Sequence, residues 1–269
     1  MKKRIITACV GVPFLILCLY VRGWFAEVVL AFLTMVGVIE CYSAIRTAKY
    51  NPFPWGGYAG PVLMLLMAWL INIRNPLLLI ATCMGITIAG CIFSKEPNFP
   101  DTAVSVYPLF TCLMPLSMIM MMLNSTYGQV PGVALITMAF AISFTGDGAA
   151  YFGGRAFGKH KLCPTVSPKK TVEGAVCYFV GSTAAALLTR LFFVEVNHWA
   201  MPGIPAAIVL GLVGGFFGQI GDLSASLLKR YSGIKDYGKL FPGHGGVMDR
   251  LDSIMFTIIV LYCYTLLLK

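Results

Sequence analysis

The residues of this chain that are best suited to chemistry lie in one segment, residues 226–252, which reads SLLKRYSGIKDYGKLFPGHGGVMDRLD. Long apolar runs flank the segment, and within it lie cations, carboxylates, a histidine and several glycines. Ionisable residues beside a bilayer are costly, so they mark a functional site by default. Glycines with lysines and arginines suit phosphate, and spaced aspartates suit a hard divalent cation. The segment therefore predicts chemistry on a phosphorylated lipid at a membrane surface.

A polar stripe leads into this segment from the preceding apolar run. Its members follow an i, i+3, i+7, i+10 pattern and therefore share one helical face: Gln219, Asp222, Ser226 and Lys229. Glycines in the same run allow close helix approach. Asp222 could simply pair with a neighbouring cation, but its place in the stripe favours a metal ligand.

Two further carboxylates open the last apolar run. Asp249 and Asp252 are three residues apart, with Ser253 following, so both carboxylates can face one pocket. Carboxylates at a helix N-terminus also complement its dipole, which explains Asp252 equally well. Mg²⁺ usually takes one or two carboxylates together with substrate phosphates. We expect Asp222 and Asp249 to be that pair, with Asp252 as a further candidate ligand.

Between the stripe and these carboxylates, residues 242–246 read PGHGG, and three glycines and a proline oppose regular structure. We expect a turn whose free backbone N–H groups contact a phosphate. His244 fits a hydrogen-bond donor to phosphate and a structural turn residue equally well.

A second basic segment, residues 143–174, contains a near match to a P-loop at Gly153, Gly158 and Lys159. His160 stands where a P-loop has its Mg²⁺-binding serine or threonine, and no strand pattern precedes the motif. A P-loop NTPase is therefore excluded. Asp147, flanked by glycines at the end of an apolar run, is another candidate metal ligand.

Later in that segment, Ser167-Pro168 resembles a helix N-cap followed by proline in the first turn. The helix predicted there presents its N-terminus together with Lys169 and Lys170, which would form an anion site. The alternative is that these lysines only mark the cytoplasmic side of a membrane.

Composition identifies the elements that must position these residues. Of 269 residues, 58% are hydrophobic and 12% are charged, against about 45–50% and about 25% in soluble domains. The chain is therefore predicted to be an all-α polytopic membrane protein. Its net charge of +9 then favours anionic headgroups and phosphorylated substrates as partners, rather than nucleic acid. The nine cysteines show no zinc spacing and are expected to be buried.

A span needs about 20 mainly apolar residues, which predicts nine transmembrane helices. They lie near 5–22, 24–40, 56–73, 76–93, 104–123, 130–147, 172–194, 203–224 and 252–268. With a cytoplasmic N-terminus, only Arg22, Arg74, Arg190 and Lys269, of 20 lysines and arginines, fall on the outer side. Residues 1–123 then form a scaffold of five spans, and residues 124–269 form a catalytic region of four spans with cytoplasmic loops 148–171 and 225–251.

The 226–252 segment resembles the signature of phosphatidate cytidylyltransferases, also called CDP-diglyceride synthetases. The matching positions run without a gap: Ser226, Lys229, Arg230, Lys235, Asp236, Gly238, Phe241, Pro242, His244, Gly245, Gly246, Asp249, Arg250 and Asp252. The loop from Tyr151 to Lys159 and the segment SPKKTVEG at 167–174 resemble the same family. The N-terminal half is apolar and adds little to the likeness.

The resemblance implies the reaction of CTP with phosphatidate to give CDP-diacylglycerol and pyrophosphate at the cytoplasmic face of the inner membrane. It also suggests K⁺ as a second cation beside Mg²⁺, and a homodimer. The expected catalytic residues are Asp222, Asp249, Lys170, Lys229 and Arg230. The expected metal ligands are Asp222, Asp249, Asp252 and Asp147. The expected substrate-binding residues are Ser167, Lys169, Lys170, Thr171, Glu173, Ser226, Lys235, Asp236, Lys239, His244, Gly245, Gly246 and Arg250.

Three other functions compete with this one. A CDP-alcohol phosphatidyltransferase requires DG-x-x-AR, whereas Asp147-Gly148 is followed by AAYF. A CTP-dependent polyprenol or lipid kinase is chemically related, and its product, CDP, distinguishes it. A transporter of phosphorylated solutes would place charges deep in broken helices of two matching halves, which this chain lacks.

Overall fold

The structure is a computed structural model that describes residues 14, 17–18, 21–70, 75–243 and 245–268. The described part is mostly helical, with two short antiparallel hairpins. The first helices are α1 (Gly23–Thr47), α2 (Trp55–Trp69), α3 (Pro76–Ile92) and α4 (Phe99–Pro108), which passes through a π turn (Leu109–Leu113) into α5 (Met114–Leu123). Then follow β1 (Thr126–Tyr127), β2 (Val130–Pro131), α6 (Gly132–Phe157), β3 (Lys161–Cys163), β4 (Ser167–Thr171), α7 (Val172–Glu195), α8 (Ile204–Tyr231) and α9 (Met248–Thr265).

Within the described residues, five helical segments are long and apolar enough to cross a membrane. They are Gly23–Thr47, Phe99–Leu123, Gly132–Phe157, Val172–Glu195 and Ile204–Tyr231. The shorter helix Pro76–Ile92 is also apolar. These segments indicate a multi-pass membrane protein, and each overlaps a predicted span. The predicted span at 5–22 falls largely outside the described residues.

Local capping explains why two of the helices begin where they do. The Asn75 side chain accepts hydrogen bonds from the N–H groups of Leu77 and Leu78 at 3.0 and 3.2 Å, and Pro76 occupies the first helical turn. Asn98 caps α4 in the same way, accepting from the N–H of Asp101 at 2.8 Å. An asparagine cap followed by proline satisfies N–H groups that a helix leaves unpaired.

The predicted helix start at Ser167-Pro168 is wrong. Ser167–Thr171 is the strand β4, which pairs with β3, and α7 begins at Val172. The N-cap is Thr171, whose hydroxyl accepts from the N–H of Gly174 at 3.1 Å. Hydrogen bonding to β3 holds this stretch extended, and Thr171 at its end caps the helix that follows. Lys169 and Lys170 therefore lie on a strand and not in the first turn of a helix.

The helix α6 also continues ten residues beyond the predicted span end at 147, through a stretch that the sequence predicts as loop. Small residues make this possible: a Cβ at Gly146 would collide with the ring of Tyr178, and one at Gly153 with Cys177. Close packing of α6 on α7 therefore outweighs the low helix propensity of these glycines. Asp147 consequently lies inside a helix.

The chain divides into two compact units. The first contains Met1–Met121 and Leu228–Leu251, and the second contains Met122–Leu227 and Asp252–Lys269. The core of the first unit joins α1, α2, α3 and the π turn through apolar residues that include Ala31, Met64, Cys83, Leu109 and Leu113. In the second unit, α6 packs along α7, and Leu135, Ile136, Met138 and Ile142 of α6 are completely buried.

Candidate functional site

In the second unit, the glycine face of α8 brings polar side chains of other helices close to Asp222. A Cβ at Gly218 would lie 2.7 Å from the hydroxyl of Tyr178 and 2.8 Å from that of Thr257. One turn further along, a Cβ at Gly221 would collide with the backbone carbonyl of Asp252. Only glycine therefore permits this approach, which confirms the expectation that glycines in this run allow close helix packing.

Three of the predicted metal-ligand carboxylates gather in this unit. Asp147, Asp222 and Asp252, from α6, α8 and α9, all act electrostatically on the hydroxyl of Tyr178. Tyr178 is 2% exposed, and its hydroxyl makes no hydrogen bond of good geometry among the described residues, although the side chain of Ser253 is close enough to act on it. A buried polar group without a partner is costly and suggests that another group binds there.

All three of these carboxylates contact serine residues. Asp147 accepts from the hydroxyl of Ser253 at 3.1 Å, and Asp252 accepts from the backbone N–H of Ser253 at 2.9 Å. Ser226 lies 3.5 Å from Asp222 along the polar stripe of α8. Ser253 therefore contacts two of the candidate ligands, Asp147 through its hydroxyl and Asp252 through its backbone N–H.

Asp222 also has a cationic partner. The ammonium of Lys170 lies 2.5 Å from its carboxylate, and the two side chains are 27% and 25% exposed. Pairing with a neighbouring cation was the alternative to metal binding for Asp222, and the structure shows such a pair. Because both groups reach solvent, an incoming phosphate and its counter-cation can compete for them.

The donor set of the second unit fits Mg²⁺ in its chemistry, since hard carboxylate and hydroxyl oxygens are the ligands it prefers. Among the described residues, however, no three histidine, cysteine, aspartate or glutamate side chains lie together as a ready metal-binding group. A magnesium ion here would need further oxygen ligands from substrate phosphates, which is how Mg²⁺ is commonly held.

The β3–β4 hairpin of the same unit carries the predicted substrate-binding residues of the 167–174 segment. Glu173, in the first turn of α7, accepts from the backbone N–H of Lys159 at 3.0 Å and contacts Nδ1 of His160 at 2.7 Å. Thr171 caps the helix. The oxygens of Thr171 and Glu173 thus fasten the hairpin to α7, and Lys169 projects from it, exposed.

In the first unit, Asp249 is the centre of a hydrogen-bond network. Its carboxylate accepts from the ammonium of Lys229 at 2.9 Å, from the N–H of Tyr237 at 2.7 Å and from the N–H of Gly246 at 3.0 Å. Its side chain is 4% exposed. The ammonium of Lys229 also lies 5.4 Å from the centre of the Tyr237 ring. Asp249 therefore fixes the fold of its own loop, whatever else it binds.

The described residues of the turn at 242–246 are non-helical, as predicted, with a bridge from Phe241 to Gly245. The expectation that its backbone N–H groups are free does not hold for the residues that leave the turn. The N–H of Gly246 donates to Asp249, and those of Val247 and Met248 donate to Glu40. These N–H groups therefore already donate hydrogen bonds to carboxylates of the chain itself. His244 lies outside the described residues.

The remaining predicted substrate-binding residues of the first unit lie at the surface. These are Lys235, Asp236, Lys239 and Arg250, and Arg230, a predicted catalytic residue, is exposed as well. Their roles stay predictions.

Two residues at these sites were missed by reasoning from sequence. Glu40 lies in the apolar run of α1, and a lone acid in such a run was the available signal. Tyr178 lies in the apolar run of α7 and carries no such signal, because a tyrosine in a span is ordinary. Only its burial beside three carboxylates distinguishes it.

Known proteins resemble this chain over about half to nearly all of its length. A sequence model described as the cytidylyltransferase family matches residues 2–268. The phosphatidate cytidylyltransferase of Staphylococcus haemolyticus is 31% identical over 271 residues, 96% of each chain. That of Staphylococcus saprophyticus is 39% identical over 155 residues, 55% of each chain.

The phosphatidate cytidylyltransferase of Staphylococcus aureus (strain COL) is 43% identical over 132 residues, 47% of each chain. The chain thus spans about half the length of this relative in that alignment. The family match covers nearly all of the residues from the first span to the last. The chain belongs to the cytidylyltransferase family.

Proposed function

We propose that this protein is a nucleotidyltransferase that transfers the cytidylyl group of CTP to phosphatidate. A phosphate oxygen of phosphatidate attacks the α-phosphorus of CTP, and the bond from that phosphorus to the β-phosphate oxygen breaks. CDP-diacylglycerol and pyrophosphate are the products. The family match over residues 2–268 carries this proposal.

The reaction brings two anions together, so the main task of the chain is to neutralise and position charge. Lys170 and Lys229 are suited to this task, because each already pairs with a carboxylate at hydrogen-bond distance and is partly exposed. Either ammonium can exchange that carboxylate for a phosphate oxygen. The attacking phosphate is already anionic, so no general base is required.

Magnesium is the cofactor that these carboxylates suit, with K⁺ as the second cation. Asp147, Asp222 and Asp252 would hold the metal in the second unit, with Ser253 supporting two of them. Asp249 stays a predicted ligand. When bound, Mg²⁺ supplies charge neutralisation on the triphosphate and its leaving pyrophosphate.

We infer nine spans with a cytoplasmic N-terminus, in the inner membrane, with the site at the cytoplasmic face. The distribution of basic residues supports this, since 20 lysines and arginines leave only four on the outer side. CTP is a cytoplasmic nucleotide, which agrees with that orientation. The family resemblance also suggests a homodimer and no role for nucleic acid.

The test is a product analysis with the purified protein in detergent, phosphatidate and CTP labelled in turn at the α- and γ-phosphates. We expect label from the α-phosphate in the lipid and label from the γ-phosphate in pyrophosphate, with loss of both on chelation of Mg²⁺. Label from the γ-phosphate in the lipid, with release of CDP, would instead show a lipid kinase. The absence of any labelled lipid would refute both.

A further inference from the structure

Glu40 is a buried carboxylate in a helix that the sequence predicts as scaffold. It lies near the C-terminal end of α1 and is 7% exposed. Removing a carboxylate from water is costly unless hydrogen bonds compensate it. The hydrogen bonds that Glu40 accepts therefore indicate its role in the protein.

Both carboxylate oxygens of Glu40 accept backbone hydrogen bonds from the start of α9. Oε1 accepts from the N–H of Val247 at 3.1 Å, and Oε2 accepts from the N–H of Met248 at 3.0 Å. N–H groups at the start of a helix have no carbonyl partner within it. The negative charge also complements the positive end of the helix dipole. Glu40 thus caps α9 from 207 residues away in the sequence.

The glycines of the signature segment fit around this carboxylate. A Cβ at Gly238 or at Gly246 would collide with the carboxylate of Glu40. A larger residue at either place would displace the carboxylate of Glu40 from its position. The steric reason for having glycine at these two positions of the signature is therefore the carboxylate of Glu40, which lies far away in the sequence.

Asp249 holds the same loop from its other side. It accepts from the N–H groups of Tyr237 and Gly246 and binds the ammonium of Lys229. Glu40 takes the next two N–H groups, those of Val247 and Met248. Consecutive donors are thus divided between two carboxylates, and the backbone that carries Asp249 is fixed from both sides.

We propose that Glu40 is a positioning residue for cytidylyl transfer, acting through the loop at residues 245–249 to hold Asp249 and Lys229 in their reactive geometry. The inference rests on the proposed function above. Glu40 itself does not contact substrate. Since a displacement of about 1 Å at a reacting group costs about 100-fold in rate, its loss is expected to lower kcat about 10- to 100-fold.

The test compares Glu40→Gln and Glu40→Asp with the matched control Glu27→Gln. Glu27 is a second buried carboxylate of α1, 2% exposed, and it accepts from the indole N–H of Trp69 at 2.6 Å. All proteins are purified in the same detergent, and kcat and KM for CTP are measured per folded molecule. Hydrogen exchange is followed in the peptide covering residues 241–249.

We expect Glu40→Gln to lower kcat about 10- to 100-fold, with KM changed less and with faster exchange at residues 241–249. Glu40→Asp, which keeps the charge but is one methylene shorter, should recover part of kcat. Glu27→Gln should leave kcat within about twofold of wild type. These ranges follow from the cost of displaced reacting groups.

Two results would overturn the inference. One is a Glu40→Gln protein whose kcat per folded molecule equals that of Glu27→Gln. The other is failure of both Glu40 variants to fold while Glu27→Gln folds, since Glu40 would then serve the fold as a whole. Failure of the proposed function is distinguishable, because the wild-type protein itself would then form no CDP-linked lipid.

Discussion

Replacing Tyr178 by phenylalanine tests whether the Tyr178 hydroxyl is an unused hydrogen-bond donor near the carboxylates of the second unit. The hydroxyl is buried and makes no hydrogen bond of good geometry among the described residues, with the side chain of Ser253 as a neighbour that acts on it. A buried polar group left unpaired costs about 1–3 kcal/mol, and phenylalanine removes that cost without changing the ring. Without substrate or metal, Tyr178→Phe should therefore raise the free energy of unfolding by about 1–3 kcal/mol.

Tyr42→Phe is the matched control, because Tyr42 is equally buried but donates its hydroxyl to the carbonyl of Ser105 at 2.8 Å. Loss of a satisfied hydrogen bond should lower stability by about 0.5–1.5 kcal/mol. The two tyrosines thus predict changes of opposite sign for the same substitution. Transition temperatures followed by circular dichroism in one detergent can resolve this, at about 2–4 °C per kcal/mol for a chain near this size.

Addition of Mg²⁺ and CTP should reduce the advantage of Tyr178→Phe. The wild-type hydroxyl would then donate to a bound oxygen, and the variant would lose that bond. A Tyr178→Phe protein that unfolds at a lower temperature than wild type without ligands would refute the reasoning, since the hydroxyl would then already have a partner.

Three other predictions follow from the two sites. Asp222→Asn and Asp249→Asn should each abolish Mg²⁺-dependent incorporation of CTP into lipid. Only Asp249→Asn should also lower the free energy of unfolding, by about 3–5 kcal/mol, because it breaks a buried ion pair. Equal melting temperatures of the two variants would contradict this difference. Gly246→Ala should abolish the proposed transfer, because the added Cβ would collide with Glu40. Gly85→Ala, whose Cβ would meet nothing within 4 Å, should leave activity unchanged and change the free energy of unfolding by zero to about 1 kcal/mol in the stabilising direction. Activity and melting assays measure the two effects. Glu173→Gln should loosen the β3–β4 hairpin and speed tryptic cleavage at Lys159 and Lys161, and an unchanged digestion pattern would contradict the role of its hydrogen bonds.

Much of the fold could be predicted because its signals are local. Length and hydropathy located the spans that became α1, α6, α7 and α8, and Asn75-Pro76 marks the start of α3. The helix start at Ser167 was mispredicted because a strand pairing with β3 competes with a local cap. The extension of α6 to Phe157 was missed because glycine propensity is local, whereas the packing that overrides it comes from α7.

The sequence by itself determined the membrane class, the family signature and the set of charged residues that chemistry can use, since all of these depend on composition and spacing. Only the tertiary structure decided which partners those residues have. It paired Lys170 with Asp222, placed Tyr178 within electrostatic reach of three carboxylates and placed Glu40 on the N–H groups that open α9. These contacts join residues far apart in the chain, and the cost of burying a charge or a hydroxyl depends on what surrounds it, which spacing alone does not contain.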